Sequence, residues 1–326
     1  MQTTVLKIFC DLKADDETLL LLKRGVAQHE IVSAAKPAPS VLSKSEPDPA
    51  LADADIAFGQ PEAGAVLQAP RLRWLQISSA GYTRYDNAEF RKAALERQLL
   101  VTSSSTVYAE PCAEHVLASM LAQSRGLLEA LRAGPGADST TWLRLRNTST
   151  LLRNQRVVIL GFGSIARHLV EMLKPFSMEI TALRREPKGD EGVSMVTAEH
   201  LPQALARADH VVNLLPATSG SVRFVSTALF AAMRQGSAFY NIGRGATVDQ
   251  DALLAALRSG RPAAAWLDVT EPEPLPPGHP LLDAPQCFIT PHIAGGHQNE
   301  SQNLVRHFVE NLRRFLGGAP LRDRVI

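Results

Sequence analysis

The feature that most constrains the fold of this chain is an alternation that runs almost from end to end. Short apolar segments rich in Val, Ile, Leu and Phe are separated by longer segments with helical hydrophobic spacing. This alternation is typical of strand-helix-strand units, whose parallel strands are covered by helices on both faces. The 326 residues are enough for about two domains of roughly 150 residues. The sequence therefore predicts an α/β protein with two doubly wound parallel sheets.

The predicted strands form two series, one for each sheet. The first series is Val5–Cys10, Ile31–Ser33, Ile56–Gly59, Trp74–Ser78 and Leu99–Val101. The second is Val157–Leu160, Glu179–Leu183, Val211–Leu215, Ala238–Ile242, Ala264–Val269 and Cys287–Thr290. The six strands of the second series make a complete mononucleotide-binding sheet, and the first series makes a smaller one.

The segments between these strands carry helix and loop signals. Pro111 suits the first turn of a helix, and apolar residues follow it at helical spacing. Ala35–Pro49 holds four prolines and is expected to form a surface loop. The glycines and hydroxyl residues of Ala133–Ser149 are expected to end the preceding helix before the next strand begins. The last helix is predicted at Glu300–Leu316, with one apolar face.

Charge and cysteine content argue against several classes of function. The 34 Lys and Arg residues nearly balance the 33 Asp and Glu residues, so we expect no nucleic-acid and no membrane partner. The three widely spaced cysteines can form neither a disulfide framework nor a four-thiolate zinc site, and no metal is expected. Residues Met1–Asp11 lack the apolar core of a secretion signal. These features predict a cytoplasmic protein.

A glycine-rich turn follows the first strand of the second series. Val157–Leu160 runs into Gly161-Phe162-Gly163-Ser164-Ile165-Ala166, a G-x-G-x-x-A sequence that a helical pattern follows. Gly161 allows the tight turn, Gly163 lets the backbone approach a pyrophosphate, and Ala166 allows close packing of the helix on the strand. The backbone amides of Ser164 and Ile165 face the anion at the helix start. The sequence therefore predicts a dinucleotide site.

The residues after the next predicted strand indicate which dinucleotide binds. A site for NAD normally has an acid there that accepts hydrogen bonds from the ribose hydroxyls. This chain has Arg184 and Arg185 instead, and guanidinium groups suit a 2'-phosphate. The sequence favours NADP(H) over NAD(H). The alternative is that both arginines stack on adenine or point to water, with Glu186 as the ribose acceptor.

Three polar residues follow later strands of the same series. Arg244, Glu273 and His292 come after the predicted strands at Ala238–Ile242, Ala264–Val269 and Cys287–Thr290. Because ligands of open parallel sheets bind at the carboxyl ends of the strands, we expect these three side chains to meet in one crevice.

This set of side chains suits hydride transfer to a 2-oxo acid. Protonated His292 donates to the carbonyl oxygen, and Glu273 orients the ring and favours its charged form. Arg244 holds the substrate carboxylate and polarises the carbonyl group. Asp268, at the end of its strand, accepts from the nicotinamide amide. The coenzyme supplies the hydride, and the protein supplies position and charge.

Four motifs occur in the order and spacing of one known family. They are Gly161–Ala166; Asn241-Ile242-Gly243-Arg244-Gly245 with Val248-Asp249; Asp268-Val269 with Glu273-Pro274-Leu275-Pro276; and Thr290-Pro291-His292-Ile293-Ala294-Gly295. On these motifs the chain resembles the D-isomer-specific 2-hydroxyacid dehydrogenases, in particular glyoxylate and hydroxypyruvate reductases. The resemblance assigns the roles just described to Arg244, Glu273 and His292. It implies NAD(P)-dependent reduction of a small 2-oxo acid to the D-2-hydroxy acid, with glyoxylate, hydroxypyruvate and pyruvate all open as substrates.

The resemblance also implies a domain organisation and further site residues. It places a flavodoxin-like substrate-binding domain at residues 1–102 and 299–326 and a Rossmann nucleotide-binding domain at residues 103–298, through which members pair as homodimers. Ser79, Ala80 and Gly81 resemble the loop whose backbone amides hold the substrate carboxylate. Leu215 and Pro216 resemble the strand end beside the adenine, and Ile242 belongs to a coenzyme-binding motif.

Other functions remain open at this point. Formate dehydrogenases look similar, but they transfer no proton to the product and tolerate Gln where this chain has Glu273. Phosphite oxidation uses the same three residue types. A nucleotide-sensing co-repressor would keep the fold and bind NAD(H) while it recruits other proteins. That role usually comes with disordered tails, and no such tail is visible in the sequence.

Overall fold

The computed structural model describes residues 4–39, 43 and 46–326 of the chain. The chain divides into two compact units, one formed by Met1–Tyr108 with Gly296–Ile326 and the other by Ala109–Gly295. Within the described ranges, no helix combines the length and the apolar character that crossing a bilayer requires.

The secondary structure alternates between strands and helices along both units. In chain order the elements are β1 (Lys7–Leu12), α1 (Asp16–Val26), β2 (Glu30–Ala38), β3 (Ile56–Gly59), α2 (Ala63–Gln68), β4 (Trp74–Ile77), α3 (Ala88–Glu96), β5 (Leu100–Thr102), α4 (Ser105–Ser124), α5 (Leu127–Ala133), α6 (Ser139–Thr148), β6 (Arg156–Leu160), α7 (Ser164–Leu173), β7 (Glu179–Leu183), β8 (Ser194–Val196), α8 (Leu201–Leu205), β9 (His210–Asn213), α9 (Thr227–Ala232), β10 (Ala238–Asn241), α10 (Gln250–Ser259), β11 (Ala264–Leu267), β12 (Cys287–Ile289) and α11 (Glu300–Leu316).

The first unit is built on a five-stranded parallel sheet in the order β2-β1-β3-β4-β5, which is the flavodoxin-like order. Helix α11 packs its apolar face on this sheet, and Phe308 stacks on Phe58 and Trp74 with ring centroids 4.4 and 5.3 Å apart. The carboxyl-terminal residues pair with the edge strand β5, where the Val325 amide donates to the Val101 carbonyl at 2.8 Å. This unit therefore contains both ends of the described chain.

The second unit is built on a seven-stranded parallel sheet in the order β12-β11-β10-β9-β6-β7-β8. Strands β6 to β11 have the strand order of a Rossmann fold, and the order reverses between β6 and β9. Both sheets confirm the predicted fold class. Strand β8 was not predicted, because a partly exposed strand of three residues has no clear apolar run.

Two strand predictions in the first unit were wrong by two or more residues at a boundary. The strand predicted at Val5–Cys10 is observed at Lys7–Leu12. The strand predicted at Ile31–Ser33 continues to Ala38, so the first part of the loop predicted at Ala35–Pro49 is a strand. Because β2 is an edge strand, it accommodates a proline that lacks an amide donor. Residues 40–42 and 44–45 of the predicted loop lie outside the described residues.

Two helix predictions also need correction. Helix α4 begins at Ser105 and contains Pro111 in its interior, so Pro111 does not start it. The proline leaves the Val107 carbonyl without its usual intrahelical donor. The segment Ala133–Ser149, predicted as a break, contains α6, whose first turn is capped where the Thr141 amide donates to Asp138 at 2.8 Å. The break is confined to the turn between α5 and α6.

A buried histidine makes the stability of the second unit depend on pH. His210 is 3% exposed, and its ring accepts from the Tyr240 hydroxyl at 2.9 Å and donates to the Gln155 side-chain oxygen. Burial lowers the pKa of His210 from 6.5 to about 4. Between these two values the unfolded chain binds a proton that the folded chain does not, so stability present above pH 6.5 is lost as the pH falls toward 4.

We therefore expect the unfolding free energy to fall by about 3 kcal/mol across this window on account of His210. Denaturant titrations at neutral pH and near pH 4.5 would measure the change. In His210→Gln, which keeps hydrogen-bonding capacity without the titration, the drop between the two pH values should be smaller by about 2 kcal/mol. Equal drops in both proteins would contradict this account of His210.

Candidate functional site

The glycine-rich turn has the geometry of an anion-binding helix start. Gly161 follows β6 with a φ of +94°, and a side chain there would press on the Leu214 carbonyl and the Leu215 side chain, both 3.3 Å from an added Cβ. At Gly163 an added Cβ would meet no atom within 4 Å, so the space beside this backbone is open. Gly163 caps α7 without a side-chain hydrogen bond, which leaves the amides of Ser164 and Ile165 without intrahelical acceptors. Open space and free amides together fit a pyrophosphate group.

A cavity of about 610 Å³ opens beside this turn, at the point where the strand order reverses. Its walls include five of the predicted coenzyme-binding residues, Gly161, Arg184, Arg185, Leu215 and Pro216. The apolar side chains of Leu183 and Phe224 line it as well. The structure thus brings the predicted adenosine-side residues to one cavity, and their chemistry fits a nucleotide.

The two arginines of this cavity have different surroundings. Arg184 donates to the carboxylate of Glu191 at 3.1 Å. Glu191 is buried and also accepts from the backbone amides of Lys188 and Gly189 at 2.6 and 2.8 Å, and these bonds lower the pKa of its carboxyl, with the Lys188 amide as the largest cause. Arg185 is exposed at the cavity and has no charged partner among the described residues. Sequence reasoning missed Glu191, because the acid lies in a turn with no strand or helix signal.

The three predicted catalytic side chains follow three adjacent strands. Arg244 comes after β10, Glu273 after β11 and His292 after β12, and these strands are neighbours in the sheet. The His292 Nδ1 atom and the Glu273 Oε1 atom form a short hydrogen bond. Both side chains are partly exposed, at 26% and 36%. The imidazole and the carboxylate, 19 residues apart in the chain, therefore meet.

Asp268 anchors the loop that carries His292. Its carboxylate accepts from the Thr290 hydroxyl at 2.6 Å and from the amides of Ile293 and Ala294 at 2.9 and 3.0 Å, while its carbonyl accepts from the His292 amide at 3.0 Å. These bonds hold His292 at a φ of +53°, a left-handed conformation that is uncommon outside glycine. Oδ2 accepts only one of these bonds and keeps room for one further donor, which is compatible with the predicted contact to a nicotinamide amide.

Arg244 lies in a desolvated position close to Glu273. Its Nη1 atom donates to the Gly243 carbonyl at 2.6 Å. Burial lowers the pKa of its guanidinium, while the Cys112 thiol and the Glu273 carboxylate act in the opposite direction. Glu273 therefore lies close to the guanidinium of Arg244 as well as to the ring of His292. Ile242, the other predicted residue at this strand end, is buried and donates its amide to the Asn213 carbonyl at 3.2 Å.

The predicted carboxylate-binding loop follows β4 in the first unit. The Ser79 hydroxyl donates to the Gly81 carbonyl at 2.6 Å and accepts from the Gln60 amide at 2.7 Å. These bonds fix the loop and occupy the hydroxyl. The backbone amides of Ala80 and Gly81 donate to no group in the described part of the chain, so they are available to an anion.

No cluster of His, Cys, Asp and Glu side chains in the described ranges is arranged to hold a metal ion.

Comparison with known proteins relates the chain to one family. Residues 117–294 match the family model described as D-isomer specific 2-hydroxyacid dehydrogenase, NAD binding domain. The chain is 34% identical over 256 residues, 77% of its length and 76% of the relative's, to the human glyoxylate reductase/hydroxypyruvate reductase.

Two solved structures share both the fold and part of the sequence. A D-isomer specific 2-hydroxyacid dehydrogenase family protein from Aeromonas salmonicida aligns with a TM-score of 0.76 and 25% identity, over 99% of each chain. A D-isomer specific 2-hydroxyacid dehydrogenase from Xanthobacter autotrophicus, in complex with NADPH and MES, aligns with a TM-score of 0.76 and 26% identity, over 99% of this chain and 98% of that one.

Proposed function

The chain belongs to the D-isomer-specific 2-hydroxyacid dehydrogenase family, and we propose that it reduces a small 2-oxo acid to the D-2-hydroxy acid with NADPH, His292 donating the proton. That it is an NAD(P)-dependent oxidoreductase of 2-oxo and 2-hydroxy acids follows from the family. The identity of the proton donor, the product's configuration and the preference for NADPH are the proposal.

The hydrogen bond between His292 and Glu273 carries this proposal. With Nδ1 directed at the carboxylate, the protonated ring has its second N–H at Nε2, which makes no hydrogen bond in the described part of the chain. Nε2 can therefore donate to a carbonyl oxygen, and Glu273 stabilises the charge on the ring until the proton leaves. A Gln at position 273 could orient the ring but would not stabilise its charge.

The other proposed roles complete the proton and charge balance of the reaction. When bound, the reduced coenzyme supplies the hydride that the carbonyl carbon accepts. Arg244 binds the substrate carboxylate and stabilises the negative charge that develops on the carbonyl oxygen before His292 protonates it. We propose that the Ser79, Ala80 and Gly81 backbone also binds the carboxylate, as the resemblance implies.

A test of the proposed function mixes the purified protein with NADPH or NADH and with glyoxylate, hydroxypyruvate or pyruvate. Loss of reduced-coenzyme absorbance reports turnover, and chiral chromatography of the product from pyruvate or hydroxypyruvate reports its configuration. We expect turnover with at least one acid, a D-configured product and a higher kcat/KM with NADPH. If neither NADPH nor NADH is oxidised in the presence of any 2-oxo acid, the result would favour a nucleotide-binding module over an enzyme.

We propose Arg185 and Arg184 as the groups that select NADPH. The relative from Xanthobacter autotrophicus was solved with NADPH, which supports NADPH as the coenzyme. Glu191 partly neutralises Arg184, whereas Arg185 keeps its charge exposed to the cavity. The 2'-phosphate is therefore expected to draw more of its binding energy from Arg185 than from Arg184.

Replacing Arg185 with alanine should weaken the binding of 2',5'-ADP by about 10-fold or more, since a charge-assisted hydrogen bond is lost. Binding of 5'-AMP, which lacks the 2'-phosphate, should stay the same. Calorimetric titration of both nucleotides measures the two affinities, and Lys188→Ala, an exposed cation in the same turn, is the control for net charge. An unchanged ratio of the two affinities in Arg185→Ala would remove Arg185 from the phosphate site.

We propose that two chains pair through helices α5 and α6 of the second unit. Neither helix buries a side chain, and Leu127, Leu131, Trp142 and Leu143 are between 48% and 68% exposed. An ion pair between Arg144 and Glu129 at 2.6 Å joins the two helices. Several exposed apolar side chains on two joined helices favour an interaction surface, and a second copy is the partner that the family resemblance implies.

Sedimentation velocity distinguishes the assemblies. The wild-type protein is expected to sediment as a dimer and Trp142→Glu as a monomer, because a buried unpaired carboxylate would destabilise the interface. Leu95→Glu, at a leucine that is 64% exposed in the first unit, is the matched control and should stay dimeric. A wild-type monomer, or a dimeric Trp142→Glu, would contradict the interface.

Because Cys10, Cys112 and Cys287 are all free thiols, we propose the reducing cytoplasm as the location.

A further inference from the structure

The orientation of Glu273 depends on the loop that precedes it. In the described part of the chain, the carboxylate of Glu273 accepts one hydrogen bond besides that with His292, from the Thr270 amide to Oε2 at 3.4 Å. With 36% of the side chain exposed, packing alone does not fix the carboxylate. The conformation of residues 270–273 therefore determines whether Glu273 reaches the imidazole.

A side-chain amide on a neighbouring helix holds this loop. Gln250 donates through Nε2 to the Glu271 carbonyl and accepts at Oε1 from the Glu271 amide at 3.0 Å. Both polar groups of one side chain thus bind both backbone groups of one residue, in the manner of a paired strand. Among the described residues, Gln250 is the side chain that makes this pair of hydrogen bonds to the Glu271 backbone.

Gln250 is itself held in a rigid place. It is the first residue of α10, whose cap Asp249 accepts from the Ala252 amide at 3.0 Å and pairs with Arg223 at 2.8 Å. The turn just before it, at Gly245, lies so close to the Thr270 backbone that a side chain at residue 245 would overlap the Thr270 carbonyl. The segment that carries Arg244 and the loop that carries Glu273 are therefore joined at two points.

We propose that Gln250 is a positioning residue for Glu273: its amide fixes the Glu271 backbone and so holds the carboxylate on His292. This inference rests on the proposed function of Glu273 and His292. Gln250 is only partly buried, so water can replace its hydrogen bonds when it is removed. Its loss is expected to affect catalysis more than folding.

The test compares Gln250→Met with Gln235→Met. Methionine keeps the length of the side chain but forms neither hydrogen bond. Gln235 is the matched control, since its amide also makes two hydrogen bonds, to Ser259 at 3.1 Å and from Arg261 at 2.8 Å. Gln235 precedes β10 in the chain, whereas Gln250 follows it. We expect Gln250→Met to lower kcat by about 10- to 100-fold with the affinity for NADPH unchanged, and Gln235→Met to keep the wild-type kcat.

Two further readouts separate positioning from a general structural effect. If Gln250 acts through Glu273, the double variant with Glu273→Gln should be slower than Glu273→Gln alone by no more than about threefold. Hydrogen exchange at the backbone amides of Thr270, Glu271 and Glu273 should become faster in Gln250→Met and not in Gln235→Met. The role of Gln250 would be overturned if the fold-decreases in kcat of the two single variants multiplied in the double variant. Unchanged hydrogen exchange in this loop would overturn it as well.

The outcomes also separate this inference from the proposed function. A wild-type protein that turns over no 2-oxo acid overturns both, because Glu273 then has no proton transfer to support. An active wild type with an equally active Gln250→Met overturns the positioning role alone and leaves the proposed function standing.

Discussion

Replacing His292 with alanine is expected to lower the turnover of the 2-oxo acid by about 10²- to 10⁴-fold, the usual contribution of a positioned general acid. Without the imidazole no group is held by Glu273 for donation to the carbonyl oxygen, and the proton must come from water. The binding of NADPH should be almost unchanged, because the glycine-rich turn and the arginines of the nucleotide cavity are untouched.

Steady-state kinetics and a fluorescence titration of NADPH measure these two quantities. His168→Ala, an exposed histidine on α7, serves as the control and should keep both wild-type values. Glu273→Gln is expected to fall between the wild type and His292→Ala, since the ring stays oriented but loses its charged partner. Undiminished turnover in His292→Ala would exclude the histidine from the mechanism.

The predicted elements that matched best are those with a strong apolar signal. Each strand predicted for the second sheet was found, with limits that moved by no more than two residues, and β6 and β9 among them are nearly continuous buried runs. Such runs are hard to place anywhere except in a covered parallel sheet. Because the carboxyl ends of parallel strands share one edge, the sequence could also place Arg244, Glu273 and His292 at the same edge.

The parts that could not be predicted depend on partners distant in the chain. The place of Asp268 after β11 predicts a coenzyme ligand, but its hydrogen bonds to Thr290 and to the backbone beyond it form only when β11 and β12 are adjacent. Glu191 and Gln250 belong to residue types that usually lie at the protein surface, so their residue type gives no functional signal. Their hydrogen bonds to Arg184 and to the Glu271 backbone require loop conformations that no local pattern specifies.

Local sequence signals also failed where contacts between residues distant in the chain determined where a helix begins. Pro111 normally marks the start of a helix, yet α4 begins six residues earlier, at Ser105. The buried side chains of Tyr108 and Ala109 stabilise this first part of the helix and offset the missing backbone hydrogen bond. Tertiary burial thus outweighed the local preference of proline.

Replacing Arg244 with lysine is expected to raise the KM for the 2-oxo acid by about 100-fold and to lower kcat as well. Lysine keeps the positive charge but loses the planar pair of donors that matches a carboxylate. The position is desolvated strongly enough to lower the pKa of the arginine, and an ammonium group is more strongly hydrated than a guanidinium. Burial therefore penalises the lysine more than the arginine.

The control for this substitution is Arg258→Lys, an exposed arginine on α10, which should leave kcat and KM at their wild-type values. Affinity for NADPH, measured without substrate, should be similar in all three proteins, because Arg244 lines neither the glycine-rich turn nor the nucleotide cavity. A KM that stays the same in Arg244→Lys would show that another group holds the substrate carboxylate, and the free amides of Ala80 and Gly81 would then be the next candidates.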